Sequence, residues 1–301
     1  MKILQQQIKA SLLKAFLTLV DTKRLKKQNY PLEDLIIQKD IPYILNGHSL
    51  QRLDVLTHKE CSGSVPTLIN VHGGGLIYGD KELNQNFNAE FAYRGFRVIS
   101  LSYRLLPTCT FDEQVLDLLT AMSFIRDHAD EYSIDLNRVF MTGDSAGGLL
   151  TLFAVALTRS ERLRGLFNVE NPEVHIQAMG LISSMLDIGQ RTDIIDYAPV
   201  LVLKGKDHAA SKFIYEPSNL FEEVDFPPCI VVTSSEDFIR QDSLKLKQLF
   251  DEANIDCALV DWNKGELHKL NHVFVVTYPK YMESQNTFDA MVKFFRNKQV
   301  L

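Results

Sequence analysis

Cysteine and tryptophan are scarce in this sequence, which has four cysteines and one tryptophan among 301 residues. The cysteines lie far apart and no two of them have the CxxC spacing, which excludes the common zinc and thiol-redox motifs. Scattered thiols are also more typical of a reducing compartment than of a disulfide-stabilised secreted fold. We therefore expect a cytoplasmic protein without a metal site.

Long apolar runs are missing as well. No apolar stretch reaches the length of about 18 residues that a membrane-spanning helix needs. At the N-terminus, polar residues such as Gln5, Gln6 and Gln7 interrupt the apolar positions, and no small-residue cleavage site follows. This pattern lacks the continuous hydrophobic region of a signal peptide, so neither a targeting segment nor a membrane span is predicted.

Charge of one sign is not in large excess, because the formal net charge at pH 7 is −6. This mild acidity argues against a nucleic-acid partner, which would favour a basic protein. A short basic run extends from Lys23 to Lys27, and we interpret it as a solvated turn after a helix; an anion or membrane contact is the alternative. With 46% hydrophobic and 23% charged residues, the composition is that of a globular protein with a sizeable core.

The first twenty residues predict an amphipathic helix, because apolar residues recur at three- and four-residue spacing. These residues are Leu4, Ile8, Leu12, Ala15, Phe16 and Leu19. We expect this apolar stripe to cover the body of the protein, and a helix lying on a membrane surface is the alternative. Pro31 and Pro42 divide the chain that follows into short pieces. We expect residues 1–45 to form an N-terminal helical segment.

From residue 50 onwards, short apolar runs alternate with stretches of helical periodicity. The predicted strands are 50–58, 67–71, 96–103, 138–143, 176–184, 228–235 and 257–262. Helices are predicted between them, for example over 111–132 and 240–254. This alternation predicts an α/β fold with a mainly parallel sheet and helices on both faces. Ligands bind such sheets at the carboxyl ends of the strands, so the loops after the strands are the expected site of chemistry.

One segment, residues 188–225, interrupts this alternation with few strand signals. Its charged and aromatic residues include Tyr197, Lys204, Lys206, Phe213, Tyr215 and Phe221. We interpret the segment as a helical cap inserted over the site, and a surface excursion without a role in substrate binding is the alternative. Residues 46–187 and 226–301 then form the α/β core.

Ser145 lies in the stretch VFMTGDSAGG, where a predicted strand runs directly into a predicted helix. A sharp strand-to-helix turn, permitted by flanking glycines, would lift the serine hydroxyl clear of the sheet edge. The N-terminus of the following helix would stabilise negative charge that develops beside this hydroxyl. The pattern therefore predicts a nucleophile, and a purely structural turn serine is the alternative.

His72-Gly73-Gly74-Gly75 follows the predicted strand 67–71. Three consecutive glycines cost conformational entropy, so a need for bare backbone is expected there. Oxyanion binding is such a need, because unblocked N–H groups must come within about 3 Å of the oxygen of a tetrahedral intermediate. A dinucleotide- or phosphate-binding loop is the alternative, but neither GxGxxG nor GxxxxGK[ST] is present.

A nucleophilic serine needs a histidine base, and in a strand-turn-helix arrangement the expected chain order is serine, acid, histidine. The histidines after Ser145 are His175, His208, His268 and His272. His175 precedes a predicted strand and His208 falls in the predicted cap. His268 and His272 both lie in the loop after the last predicted strand, where the base is expected, and their position alone leaves both open.

Three carboxylates that follow the predicted strand 228–235 are candidates for the acid that holds this base. Asp237 is our candidate, and its neighbour Glu236 is the alternative. Asp242 is more consistent with the start of the next predicted helix. The sequence therefore predicts a Ser-His-Asp arrangement built from three separate loops.

Together these elements resemble the hormone-sensitive-lipase-like esterases, a branch of the α/β-hydrolases, over roughly residues 50–300. The matching motifs are HGGGLIYG at 72–79, SYRLLP at 102–107, IDLNRVFMTGDSAGG at 134–148, SSMLD at 183–187, SSEDFIRQD at 234–242 and NHVF at 271–274. The resemblance implies an α/β-hydrolase fold with a helical cap, to which the first 45 residues would contribute. It favours His272 over His268, because the family's base lies in an H-G-F-like segment, and it supports Asp237, which matches a D-P-L-R-D-like segment.

The resemblance also implies hydrolysis of carboxylic esters through an acyl-enzyme intermediate. Ser145 would be the nucleophile, His272 the base and Asp237 the acid. The oxyanion would be bound by the N–H groups of Gly74, Gly75 and Ala146. The substrate would be a small-molecule ester, and the small predicted cap favours a short acyl chain. The protein would be a monomer or homodimer and would use no cofactor or metal. An amidase or peptidase on the same fold and a non-catalytic binding protein are the alternatives.

Four positions depart from the family pattern. An aromatic residue is common where Leu76 stands, and an acidic residue is common where Thr108 stands. Phe238 replaces the usual proline after the acid, and Val273 replaces the usual glycine after the base. None of these changes removes a catalytic atom, but the shape of the substrate pocket is not carried over from the family.

Overall fold

The computed structural model describes residues 2–28, 30–189, 191–203 and 208–298. Eight strands of this part of the chain form one sheet with the order β1-β2-β4-β3-β5-β6-β7-β8. The strands are β1 (Leu35–Pro42), β2 (Arg52–His58), β3 (Val65–Val71), β4 (Arg97–Leu101), β5 (Ile134–Asp144), β6 (Ile176–Ile182), β7 (Cys229–Ser234) and β8 (Cys257–Trp262).

The sheet is mainly parallel. β2 pairs antiparallel with β1 and with β4, and the pairings from β4 onwards are parallel. In the centre, Ile69 of β3 pairs with Ile99 of β4 on one side and with Met141 of β5 on the other. The central strands are buried on both faces, which explains why their sequences are continuous apolar runs.

Helices cover both faces of the sheet. They are α1 (Lys2–Gln28), α2 (Gln85–Tyr93), α3 (Phe111–Asp127), α4 (Ala146–Arg159), α5 (Glu161–Phe167), α6 (Ala198–Leu201), α7 (Ser211–Tyr215), α8 (Arg240–Glu252), α9 (Phe274–Thr277) and α10 (Met282–Asn297), with 3₁₀ helices at Lys81–Asn84 and Pro217–Glu222. One apolar layer includes Leu149 of α4 and Leu246 of α8, and the other includes Phe91 of α2 and Phe295 of α10. In the described ranges, no helix is long and apolar enough to cross a membrane.

The predicted α/β architecture is confirmed, and every strand that the sequence predicts is present to within a few residues. The N-terminal segment differs from its prediction as an entirely helical piece. Residues 35–42 form the edge strand β1, whose pairing with β2 shifts register between Gln38 and Ile41. Because β1 is an edge strand with polar residues at its centre, it lacks the apolar run that reveals the buried strands.

The orientation of α1 contradicts the prediction that its apolar stripe covers the body of the protein. Leu4, Leu12 and Phe16 of that stripe are 61%, 68% and 61% exposed. The side that faces the body instead carries Ala10, which is buried, and Leu13, which packs against the core. Since apolar residues occupy two opposite sides of this helix, the wider stripe in the sequence is not the one that packs.

The segment predicted to be a cap contains α6, α7 and the 3₁₀ helix Pro217–Glu222. Gln190 and residues 204–207, which include Lys204 and Lys206, lie outside the described residues. An ion pair joins Lys9 of α1 to Asp196, which lies just before α6. The N-terminal helix and the segment 188–225 are therefore in contact, as members of one cap would be.

Candidate active site

Ser145 occupies the turn between β5 and α4 in a backbone conformation that residues with a side chain rarely adopt. Its φ of 52° and ψ of −119° lie outside the regions that non-glycine residues commonly adopt. The turn is tight: a Cβ atom on Gly147 would lie 2.1 Å from the carbonyl oxygen of Val71, and one on Gly143 would lie 2.3 Å from that of Gly147. The glycines of the motif are therefore required by the close approach of neighbouring backbone.

Three predicted side chains from three loops meet at this turn. The Nε2 atom of His272 lies 3.0 Å from the Oγ atom of Ser145, and its Nδ1 atom lies 2.8 Å from Oδ1 of Asp237. The carboxylate is buried completely, whereas the imidazole is about one-fifth exposed. A hydroxyl, an imidazole and a carboxylate thus form one hydrogen-bonded line, the arrangement that activates a serine.

The surroundings of Asp237 favour its ionised form. Burial raises the pKa of this carboxyl group, but hydrogen bonds from His272, Ser183 and the Ile239 N–H outweigh that effect. Its pKa is therefore below the ordinary value, and the group is a carboxylate at neutral pH. The Ile239 N–H donates at 3.0 Å to the same oxygen that accepts from His272, which fixes the carboxylate in place.

The two competing carboxylates have other partners. Glu236 accepts a hydrogen bond of 2.8 Å from the N–H of Leu270 and so holds the loop that carries His272. Asp242 accepts from the N–H of Leu186 at 2.9 Å and pairs with Arg191. Neither carboxylate is among the partners of the imidazole, so the structure brings only Asp237 of the three candidates to it.

The other candidate histidines lie elsewhere. His268 stacks on the ring of Tyr281 with a centroid distance of 4.0 Å. His208 accepts from the N–H of Ala210 and lies 3.9 Å from the carboxylate of Asp112. His175 directly precedes β6 and so lies at the amino end of the sheet. Ser145 follows β5 at the carboxyl end, so His175 is on the opposite side of the sheet from the site.

The loop after β3 places Gly74 and Gly75 in the wall of the cavity that contains Ser145. A Cβ atom on Gly74, whose φ is +111°, would lie 2.1 Å from the carbonyl oxygen of Tyr78. Gly75 has a φ of +60°, also in the region that favours glycine. In the described residues, neither N–H is donated to a backbone acceptor. Ala146 begins α4, so its N–H belongs to the first turn, which lacks intrahelical acceptors.

His72 of the same motif supports this loop and takes no direct part in the site. Its buried ring stacks on Tyr103 at 4.4 Å, and its Nδ1 atom lies 2.7 Å from the carbonyl oxygen of Gly73. Burial lowers the pKa of His72 to about 4, despite that hydrogen bond, so the ring is neutral at pH 7. The Tyr103 hydroxyl donates to the His72 carbonyl oxygen at 2.7 Å and fixes the loop from below.

Two site residues were not found from the sequence. Asp144, beside the serine, is buried and accepts from the Gly73 N–H at 3.1 Å and from the Asn84 amide at 2.7 Å. It thus joins the serine turn to the glycine loop. Burial raises the pKa of Asp144 to about 6, against the opposing effect of these hydrogen bonds. The sequence signal that could have identified Asp144 was the acidic residue directly before the serine in GDSAG.

Tyr197 is the second residue that sequence reasoning missed as part of the site. It lies in the segment 188–225, is fully buried, and donates a hydrogen bond of 2.8 Å to the carbonyl oxygen of Gly75. A residue of the predicted cap therefore holds Gly75, one of the two glycines that are candidates for the oxyanion hole. The only signal in the sequence was an aromatic residue in that segment, which does not specify this contact.

A cavity of about 180 Å³ lies beside Ser145 and His272. Leu13 and Leu17 of α1 line it, as do Ile195 and Tyr197 of the segment 188–225. Its lining is largely apolar, so it fits an uncharged organic group rather than an anion. Among the described residues, no group of three or more metal-ligating side chains is present here or elsewhere.

Two departures from the family pattern lie next to His272. Val273 follows His272 with a φ of 53°, in the left-handed region that a β-branched residue rarely adopts. The glycine that is usual at this position would adopt it without strain. The Val273 N–H donates to Ser183 at 3.2 Å, and the ring of Phe238 lies 4.6 Å from that of His272. Phe238 therefore limits the space beside the imidazole.

The sequence model of the BD-FAE family matches residues 53–238, which is more than half of the chain. The chain belongs to the BD-FAE family. This range includes the HGGG loop, the serine turn and Asp237, whereas His272 lies beyond its end. The resemblance to the hormone-sensitive-lipase-like esterases is confirmed at the level of family.

Curated relatives and solved structures agree with this membership of the BD-FAE family. The chain is 25% identical to an acetyl esterase of Salmonella paratyphi A over 221 residues, which cover 69% of this chain and 66% of that protein. The match therefore spans just under two thirds of the relative's length.

Esterase B from Lactobacillus rhamnosis superposes with a TM-score of 0.92 at 24% identity, covering 99% of this chain and 96% of that one. A structure of the same enzyme inhibited by a tributyrin phosphonate gives a TM-score of 0.91 at 25% identity, covering 98% and 96%. The α/β-hydrolase fold that the sequence implied is confirmed by these likenesses.

Proposed function

We propose that this BD-FAE family member is a serine carboxylesterase that cleaves short-chain carboxylic esters through an acyl-enzyme intermediate. The proposal rests on the line from Ser145 Oγ through the His272 imidazole to Asp237, with distances of 3.0 and 2.8 Å. The acetyl esterase relative and the esterase structures support ester hydrolysis as the reaction.

In the first step, Ser145 Oγ attacks the carbonyl carbon of the ester while Nε2 of His272 accepts the hydroxyl proton. The imidazolium that results is stabilised by Asp237, which remains ionised because the hydrogen bonds it accepts lower its pKa. The oxygen of the carbonyl becomes an oxyanion. The N–H groups of Gly74, Gly75 and Ala146 bind this oxyanion, whose charge develops beside the N-terminus of α4.

In the second step, Nε2 of His272 protonates the departing alcohol and the carbon–oxygen bond to it breaks. The acyl group is then an ester of Ser145. A water molecule gives its proton to the same nitrogen and attacks the acyl carbon, and collapse of the second oxyanion releases the carboxylic acid. His272 returns the proton to Ser145, so the enzyme ends in its initial state.

The cavity supports short acyl groups. Its volume of about 180 Å³ and its apolar lining fit an acetyl to butyryl ester. We propose that α1 and the segment 188–225 together form the cap of this cavity, since Leu13 of the one and Ile195 of the other both line it. The cytoplasmic location and the choice between monomer and homodimer stay predictions from the sequence.

Hydrolysis of p-nitrophenyl acetate and butyrate, beside the matching p-nitroanilide, tests the proposal. We expect turnover of both esters, much slower turnover of the amide, and loss of ester hydrolysis in Ser145→Ala. Faster hydrolysis of the anilide would identify an amidase. Absence of turnover on every ester and amide, with the substrates still bound, would identify a non-catalytic binding protein.

A matched serine variant controls for the loss of a hydroxyl group as such. Ser184 is buried, as Ser145 is, and its hydroxyl donates a hydrogen bond to the carbonyl oxygen of Met185. We expect Ser184→Ala to keep ester hydrolysis within about tenfold of the unchanged protein, because the hydrogen bond it loses is worth only about 1 kcal/mol. Equal losses in the two variants would contradict a nucleophilic role for Ser145.

A further inference from the structure

The outward face of α1 is an apolar surface that is exposed to solvent. Its exposed apolar residues are Leu4, Ile8, Leu12, Phe16 and Leu19. At 100° per residue these positions fall within one stripe about 120° wide. Ile3 and Val20 of α1 are exposed as well, and the other exposed large apolar side chains lie away from this helix, such as Ile36 on β1 and Leu116 on α3. Scattered single residues are normal on a protein surface, whereas a continuous stripe indicates a binding surface.

The opposite side of the helix fixes this stripe in its outward position. Leu13 and Leu17 line the cavity of the candidate active site. Asp21 accepts from the Tyr78 hydroxyl at 3.2 Å, and the Arg24 guanidinium donates to the Thr277 carbonyl oxygen at 3.3 Å. Because these contacts hold α1 against the body, the stripe cannot turn inward without opening the cavity.

The charge of α1 is opposite to that of the chain. Its 27 residues include seven lysines and arginines and one aspartate, a net charge of +6. The whole chain has a net charge of −6, so the rest of the molecule is strongly acidic. The basic run from Lys23 to Lys27 belongs to α1 itself and is not the turn after a helix that the sequence predicted. Lys23, Lys26 and Lys27 are exposed and lie beyond the apolar stripe. An apolar stripe with basic residues beside it is typical of helices that lie on anionic lipid surfaces.

We propose that the outward face of α1 docks on an anionic lipid surface, with the helix parallel to the surface and its apolar stripe among the acyl chains. The basic residues at the end of the helix would contact lipid headgroups. A second copy of the chain fits this face less well, because a symmetric contact would pack two helices of the same net charge, +6, against each other. Docking would also place the cavity close to the lipid, from which esters could reach the site. Only this delivery of esters rests on the proposed function.

Co-sedimentation of the full-length protein with vesicles tests the proposal. Vesicles of phosphatidylcholine alone are compared with vesicles of phosphatidylcholine and phosphatidylglycerol in equal parts. We expect binding to the anionic vesicles that weakens at high salt. Leu12→Gln combined with Phe16→Gln is expected to lower the partition coefficient by a factor on the order of ten or more, since binding scales with the apolar area inserted.

The matched control is Ile36→Gln combined with Leu116→Gln, which removes two exposed apolar side chains from other elements. We expect this variant to bind vesicles like the unchanged protein. Both double variants are expected to hydrolyse p-nitrophenyl acetate normally, which shows that they fold and separates this proposal from the proposed function. Lys23→Gln with Lys26→Gln is expected to weaken binding to anionic vesicles and to leave the residual binding to neutral ones unchanged.

Three results would overturn the proposal. One is a failure of the unchanged protein to bind anionic vesicles, and another is equal binding of the two double variants. The third is a dimer in solution that Leu12→Gln with Phe16→Gln converts to a monomer, because the stripe would then be the interface between two copies.

Discussion

The carboxylate of Asp237 and the imidazole of His272 form a 2.8 Å hydrogen bond on the side of the ring that faces away from Ser145. The carboxylate comes from the loop after β7 and the imidazole from the loop after β8, so neighbouring parallel strands bring the pair together. Asp237 also accepts from the Ile239 N–H. The carboxylate thereby selects the tautomer that leaves Nε2 free to accept the serine proton.

We expect Asp237→Asn to lower turnover of p-nitrophenyl acetate by about 10⁴ while leaving the fold intact, because an amide in place of the carboxylate favours the wrong tautomer. Glu236→Gln is the control, since glutamine can still accept from the Leu270 N–H. Steady-state kinetics of both variants check this assignment. Near-normal turnover in Asp237→Asn together with a large loss in Glu236→Gln would show that the acid is Glu236.

Gly74→Ala is expected to lower turnover by roughly 10²–10³, the usual effect of losing one oxyanion donor. The new Cβ would lie 2.1 Å from the carbonyl oxygen of Tyr78 and would force the loop to move. Gly63→Ala is the matched control, because Gly63 also has a positive φ, +74°, but no atom within 4 Å of a new Cβ. It is expected to lose stability and keep its turnover. Equal effects of the two variants on kcat would argue against a role for the Gly74 N–H.

Tyr197→Phe is expected to lower kcat by about tenfold with little change in KM. The substitution removes the hydrogen bond that the hydroxyl donates to the Gly75 carbonyl oxygen, which positions the glycine for the oxyanion. Tyr43→Phe is the control, since that buried hydroxyl donates to the carbonyl oxygen of Ser102 at 2.9 Å. Both variants lose about 1 kcal/mol of stability. A kcat effect of the same size in the control would mean that Tyr197 only stabilises the fold.

Asp144 makes stability depend on pH. Burial raises its pKa from 3.8 to about 6 in the folded protein, so the folded chain holds this proton more tightly than the unfolded chain. The contribution of Asp144 to stability therefore decreases as pH rises from about 4 to about 6, by about 2–3 kcal/mol in total. Asp144→Asn removes the group that titrates. Thermal unfolding between pH 4 and 7 is expected to show a weaker decline for Asp144→Asn than for the unchanged protein.

The control for this pH dependence is Asp130→Asn, because Asp130 is exposed on a turn. We expect its melting temperature to follow that of the unchanged protein at every pH. The role assigned to Asp144 would be contradicted if Asp144→Asn and Asp130→Asn had the same pH profile.

The central sheet and the three loops of the site could be predicted from the sequence. Strands β3 to β7 are buried on both faces, so each one is an apolar run with a clear end, and the chemistry follows those ends. Ser145 and the glycines of its turn form a local motif that needs no knowledge of the tertiary structure. For the histidine, position left His268 and His272 open, and the family resemblance decided between them.

Other features depend on contacts between distant parts of the chain. Tyr197 meets Gly75 across 122 positions, and Asn84 meets Asp144 across 60. No local pattern specifies such pairs. The edge strand β1 has polar residues at its centre and an irregular register, so it lacks the signature of a buried strand. The predicted orientation of α1 was wrong because apolar residues occupy two opposite sides of this helix. Which side faces the body depends on the shape of the cavity that the helix lines.

Labelling with p-nitrophenyl ethyl butylphosphonate tests the central claim most directly, because this reagent forms a stable bond with an activated serine. Intact-mass spectrometry and peptide mapping then count the phosphonyl groups and locate them. We predict one group per chain, on Ser145, and strongly slowed labelling in His272→Ala. Failure to label, or a label on another residue at full stoichiometry, would contradict the account.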